Sequence, residues 1–135
     1  MNRALELHDS NLSLVMPNGK DVTVELSPAY LHESVGQPGV DAGSGYLQDV
    51  HLQLKGAEIE SFASNLPDRI DEGWVVVGDE RIDNIIPLPL IALQPAELVL
   101  STNGEQTLRI RAQGIVAILI GPRKGLETFH EIPAS

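Results

Sequence analysis

No cysteine occurs anywhere in the 135 residues. That excludes disulfides, thiolate nucleophiles and sulfur-ligated zinc or iron. It leaves an oxidising compartment open, because a chain of this length builds a core without covalent staples. Aromatic residues are scarce at 4%, so a sugar-stacking surface, which needs several exposed rings, has little to build on. Cations are short as well: nine Lys and Arg against nineteen Asp and Glu leave a net charge of −10. Polyphosphate binding runs on clustered Lys and Arg that displace counterions, so no nucleic acid is expected as a partner. Anionic membrane surfaces are disfavoured on the same ground. Nothing approaches the run of about 20 apolar residues that a spanning helix needs; the apolar stretch 115–120 suits one strand. The start, Met1-Asn2-Arg3-Ala4-Leu5-Glu6, is charged and polar where a signal peptide would be apolar. A cytoplasmic protein without a membrane partner is the expectation.

What is present is apolar side chain in the right rhythm. At 42% hydrophobic there is material for one core, and no shift of composition divides the chain, so 1–135 reads as a single domain. Leu5 and Leu7 alternate with Glu6 and His8; Val22, Val24 and Leu26 alternate with Thr23 and Glu25. Asn18-Gly19 between two such runs is a hairpin signal, repeated by Asn103-Gly104 between 96–101 and 106–112. Further strands are expected at 29–34, 47–54, 74–77 and 82–90. Pro87 and Pro89 mark the last as an edge strand, since both remove donors from the same side. Residues 115–120, apolar on both faces, read as a central strand. Segment 57–66 is ambiguous: Ile59, Phe62, Ala63 and Leu66 have helical spacing, but the neighbours favour strand. The result is an all-β fold with little or no helix, an antiparallel β-sandwich of roughly nine or ten short strands, with a small β-barrel as the alternative.

One segment invites a functional reading. Residues 35–45 form a glycine-rich loop longer than hairpin closure requires, and both tyrosines, Tyr30 and Tyr46, flank it together with His32 and His51. If Ala29 and Leu31 face the core, Tyr30 and His32 face out; if Val50 and Leu52 face in, Asp49 and His51 face out. Pairing Ser34 with Leu47 would place His32 across from Asp49 and Tyr30 across from His51. Such a patch suits ligand binding. His32, Asp49 and His51 are then also candidate ligands for zinc, iron or manganese, or an acid–base set in which Asp49 orients His32. The ordinary polar outer face of a sheet contains the same residue types, and a one-residue slip of register would dissolve the patch.

Other motifs fail on chemistry. Gly43-Ser44-Gly45 lacks the glycine spacing and the following helix of a nucleophile elbow. No Gly-Lys-Ser/Thr follows the loop to make a phosphate cradle. The acids between Asp68 and Asp83 are interrupted by Trp74-Val75-Val76-Val77 and read as a solvated face rather than a calcium loop. Trp74 reads as a core plug, His8-Asp9 as a surface pair ending a strand, and His130 as solvated. The leading expectation is a non-catalytic module that binds a small molecule or protein through loop 35–45 and Tyr30, His32, Tyr46, Asp49 and His51, with no cofactor. The alternative is a small metal-dependent enzyme using the same His/Asp/Tyr set. A third is a homo-oligomer paired through strand edges.

Overall fold

Alternation of aliphatic and polar residues produces strands wherever it was read, and the turns fall where glycine or asparagine permits them. The computed structural model describes residues 1–129. Along the chain run β1 (Asn2–Glu6), β2 (Asn11–Asn18), β3 (Asp21–Ser34), β4 (Gly43–Lys55), β5 (Glu58–Ser61) and β6 (Asp68–Val77). Then come β7 (Glu80–Asp83), β8 (Ile85–Leu88), β9 (Ile91–Ala92), β10 (Ala96–Thr102), β11 (Thr107–Ala112) and β12 (Gly114–Phe129). All pairings are antiparallel and the described residues contain no helix, hence none long and apolar enough to cross a membrane. The all-β expectation holds.

The strands belong to one open sheet in the order β5-β11-β10-β6-β2-β3-β4-β12-β9, with β1 beside β3, β8 beside β1, and β7 beside β6. Its two limbs are joined narrowly, by Asn11 opposite Arg69 and Leu12 opposite Asp68. Both limbs bury their apolar faces in a single cluster, from Leu5, Leu31 and Leu52 on one to Val75, Leu98 and Ile110 on the other. Gly73 lies where the limbs touch: a Cβ there would crowd Leu100 and Leu7. Burying a Leu or Ile side chain is worth about 1.5–3 kcal/mol, so this shared cluster is what folds the sheet over.

β3 is long and irregular. Val22, Val24 and Leu26 are buried, and after a register shift at residues 27–28 the buried set becomes Ala29 and Leu31. An inserted residue reverses which positions face inward. β2 pairs with the first half of β3 and β1 with the second, while β4 runs beside both.

Three local expectations change. The stretch 82–90 is not one strand: Asn84 takes φ 55 and breaks it into β7 and β8. That corner is pinned, because Asn84 donates its N–H to Gly73, accepts the Leu7 N–H, and accepts the His8 N–H on Oδ1. Residues 115–120 do not form a central strand buried on both faces. Only Ile115 is fully buried, and β9 covers the far side of β12 at two residues alone, Ile115 and Val116. Trp74 is no core plug; it is half-buried, with the Arg81 guanidinium 3.8 Å from its ring centroid. β8 does lie at an edge, paired among the described residues with β1 alone, as its prolines indicated.

Candidate functional site

The glycine-rich loop is a built structure. Asn2 Nδ2 donates to the Gly36 carbonyl at 2.7 Å, Ser34 Oγ donates to Ala42 at 2.6 Å, and the Gly36 N–H donates back to Ser34 Oγ. The Gln37 N–H donates to Asp41 Oδ2 at 2.6 Å, and the Val40 and Asp41 N–H groups return to the Gln37 carbonyl. The glycines serve close approach. A Cβ on Gly43 would collide with the Glu33 carbonyl oxygen, and one on Gly36 with the Asp41 carboxylate. Gly39 takes φ +83 and settles against Ile85 and His32.

Beneath this loop lies a groove of about 620 Å³. Its floor is Ala4 of β1 with Ile85 and Pro87 of β8, its roof is Pro38 and Val40, and Asn2 and Asp83 add polar groups. The floor exists because Ala4 pairs with both His32 and Pro87, and offers only a methyl where a larger side chain would fill the space.

The face assignments of the flanking residues hold while the register does not. Tyr30 and His32 lie on the face opposite buried Ala29 and Leu31, and Asp49 and His51 opposite buried Val50 and Leu52. Observed register places Tyr30 across from Leu47 and His32 across from Gly45, four residues from the expected pairing, and His51 across from Glu25, five residues from it because the bulge intervenes. The candidates therefore divide among different partners. His32 Nε2 lies 2.9 Å from Glu6 Oε1, with the Tyr30 ring 5.0 Å away at a tilt, and His32 is only 8% exposed. Asp49 Oδ1 accepts from Ser27 Oγ at 2.8 Å, and His51 Nε2 lies 3.2 Å from Glu25 Oε2. Among the described residues no three His, Asp or Glu side chains converge as a metal site.

Tyr46 leaves the loop side altogether. It is 1% exposed in the core opposite Leu31, and among the described residues its hydroxyl has no hydrogen-bond partner. Burial pushes its phenol pKa up. Arg123 lies 4.2 Å from its ring centroid and grips Glu33 with both Nη groups at 2.7 and 2.8 Å; Arg3 Nε adds a third contact to Glu33 at 2.9 Å. These bonds, those from Arg123 foremost, hold the Glu33 carboxyl below its ordinary range although burial opposes it. His8 and Asp9 are the exposed pair anticipated, 3.5 Å apart. The backbone carbonyl of Asp71, accepting from Nδ1, holds the His8 imidazole pKa above its usual value. His130 lies outside the described residues.

Sequence reasoning missed Glu6, Glu25 and Ser27 as partners, the Arg3–Glu33–Arg123 network, and β1 and β8 as the groove's floor. The prolines of β8 were the one available signal for that floor; the pairings carry none. Comparison with family models, with curated proteins and with solved structures finds no match to this chain.

Proposed function

We propose that this protein is a non-catalytic binding module whose groove under loop 35–45 takes a small, largely apolar, uncharged ligand. The observation that carries this reading is a preformed concavity: about 620 Å³, inside the range of about 300–1,000 Å³ usual for small-molecule sites. A loop held by its own hydrogen bonds loses little conformational freedom when a ligand arrives, so more of the contact energy survives as affinity. His32, bonded to Glu6 and lying where a Cβ on Gly39 would come within 3.7 Å of its ring, serves here as a support for the roof. Asp83 on the rim is paired with Arg81, and the lining is mainly apolar, from Ala4, Pro38, Val40, Ile85 and Pro87, which favours an uncharged ligand. In a hollow of about 380 Å³ elsewhere, bordered by Glu58, Glu97 and Arg111, the Arg111 guanidinium is already paired with Glu97.

Titration with uncharged fragments such as indole and cyclohexanol, followed through the backbone amides by NMR, tests the reading. Saturable shifts at Ala4, Val40 and Ile85 are expected, weakened at least tenfold in Val40→Asp. Fragments that leave those amides unmoved, or bind Val40→Asp equally well, overturn it.

A further inference from the structure

A second cavity, of about 270 Å³, opens along the seam between β8 and β12, bounded by Met1, Arg3, Leu88, Pro89 and Leu119. β12 is paired along one side with β4; on the other, β9 reaches Val116 and the Ala117 N–H donates to the Leu90 carbonyl at 3.0 Å. Amides two residues apart in a strand point the same way, so the Leu119 N–H turns toward the seam. Pro89, across the cavity, has no N–H to compete for an acceptor placed there.

Charge at the cavity is unbalanced. Arg3 and Arg123 share the single carboxylate of Glu33, so cationic groups outnumber the carboxylate there in a chain of net charge −10. Arg3, which lines the cavity, gives Glu33 only its Nε, so its two Nη groups remain for another acceptor. The Tyr46 ring lies against the same network, 4.2 Å from Arg123, while its buried hydroxyl has no partner among the described residues. The rest of the cavity wall (Met1, Leu88, Pro89 and Leu119) is apolar.

We propose that this seam binds a monocarboxylate with a short apolar tail, its carboxylate on the Arg3 fork and the Leu119 amide, its tail among Met1, Leu88, Pro89 and Leu119. A planar guanidinium fork matches the two oxygens of a carboxylate. The cationic excess favours an anion, and a volume of about 270 Å³, below the usual small-molecule range, limits the tail. A phosphate dianion would be repelled by Glu33 more strongly than a carboxylate, and it has no tail to place on the apolar wall. The site shares Arg3 and Leu88 with the loop groove, while Met1, Pro89 and Leu119 belong to the seam and Val40 and Ile85 to the groove, so the two can be read separately.

Hexanoate, its neutral analogue hexanamide, and inorganic phosphate are the probes, titrated into the wild-type protein with the amides followed by NMR. Expected are saturable hexanoate shifts at Leu119 and Arg3, and hexanamide and phosphate each at least tenfold weaker. Arg3→Gln is expected to weaken hexanoate at least tenfold; the wild-type comparison decides the matter even if that variant fails to fold. Hexanamide binding as well as hexanoate, phosphate binding as well or better, or hexanoate shifts at Val40 and Ile85 in place of Leu119 would each overturn the proposal.

Discussion

Single atoms decide two positions here. Gly43 sits where a methyl group would enter the Glu33 carbonyl oxygen, and the obstacle is backbone, not a side chain able to move aside. Gly43→Ala should cost about 1–3 kcal/mol of stability, the usual range for forced overpacking, as read from urea denaturation. A loss below the experimental error would mean that the loop's closure at β4 is not the tight contact described. Tyr46 presents the opposite case. Its buried hydroxyl is unpaired among the described residues, and a buried polar group without a partner costs about 1–3 kcal/mol. Tyr46→Phe is therefore expected to leave stability unchanged or raise it by about 1 kcal/mol. A clear loss would reveal a partner for the hydroxyl. Neither position was legible beforehand: both glycine and tyrosine were noted for their neighbourhood, while the atoms that constrain them come from strands ten or more residues away.

Strands meet through ion pairs as well as hydrogen bonds, and the most connected is Glu33. It ties β3 to β1 through Arg3 and to β12 through Arg123. Its carboxyl pKa is lowered in the folded protein. Stability from such a group is complete above the unfolded value of about 4.3 and is lost as pH falls through the lower folded value. Glu33→Gln should thus be less stable than wild type by about 2 kcal/mol near neutral pH, a gap that closes in acid. Denaturation at several pH values measures it, and a gap that ignores pH would remove the charge from the explanation. The bulge in β3 is the other decision made between elements. The alternation of Val22, Val24 and Leu26 predicts faces, and those predictions hold on both sides of residues 27–28. Register is a different quantity. It depends on where the extra residue is absorbed, and alternation repeats every two residues whatever the offset. Hence Tyr30, His32, Asp49 and His51 were placed on the correct faces but with incorrect neighbours.

At the scale of the molecule, two limbs joined at a short seam, Leu12 and Asn11 against β6 with hydrogen bonds at Ser10–Ile70 and Leu7–Asn84, share one apolar cluster. A connection that narrow would let the limbs unfold separately if each had its own core; a common core forbids it. Fluorescence of Trp74, on β6, and near-ultraviolet dichroism of the tyrosines, on β3 and β4, should therefore follow the same denaturation curve. Two midpoints would show that the limbs are independent. Truncating a buried side chain in either limb, Leu52→Ala or Leu98→Ala, should cost about 2–5 kcal/mol and shift both signals together.

By itself, the sequence determined that the chain is β-structured, where its main hairpins turn, which faces of the regularly alternating strands point inward, and that the chain is acidic. Those properties are local, written in the alternation of neighbours and in the turn residues. Only the tertiary structure decided that the glycine-rich loop roofs a groove floored by β1 and β8, and that two arginines far apart in the chain share Glu33 beside a seam. Contacts of that kind arise when distant strands choose a register, and a strand's own pattern is nearly indifferent to that choice.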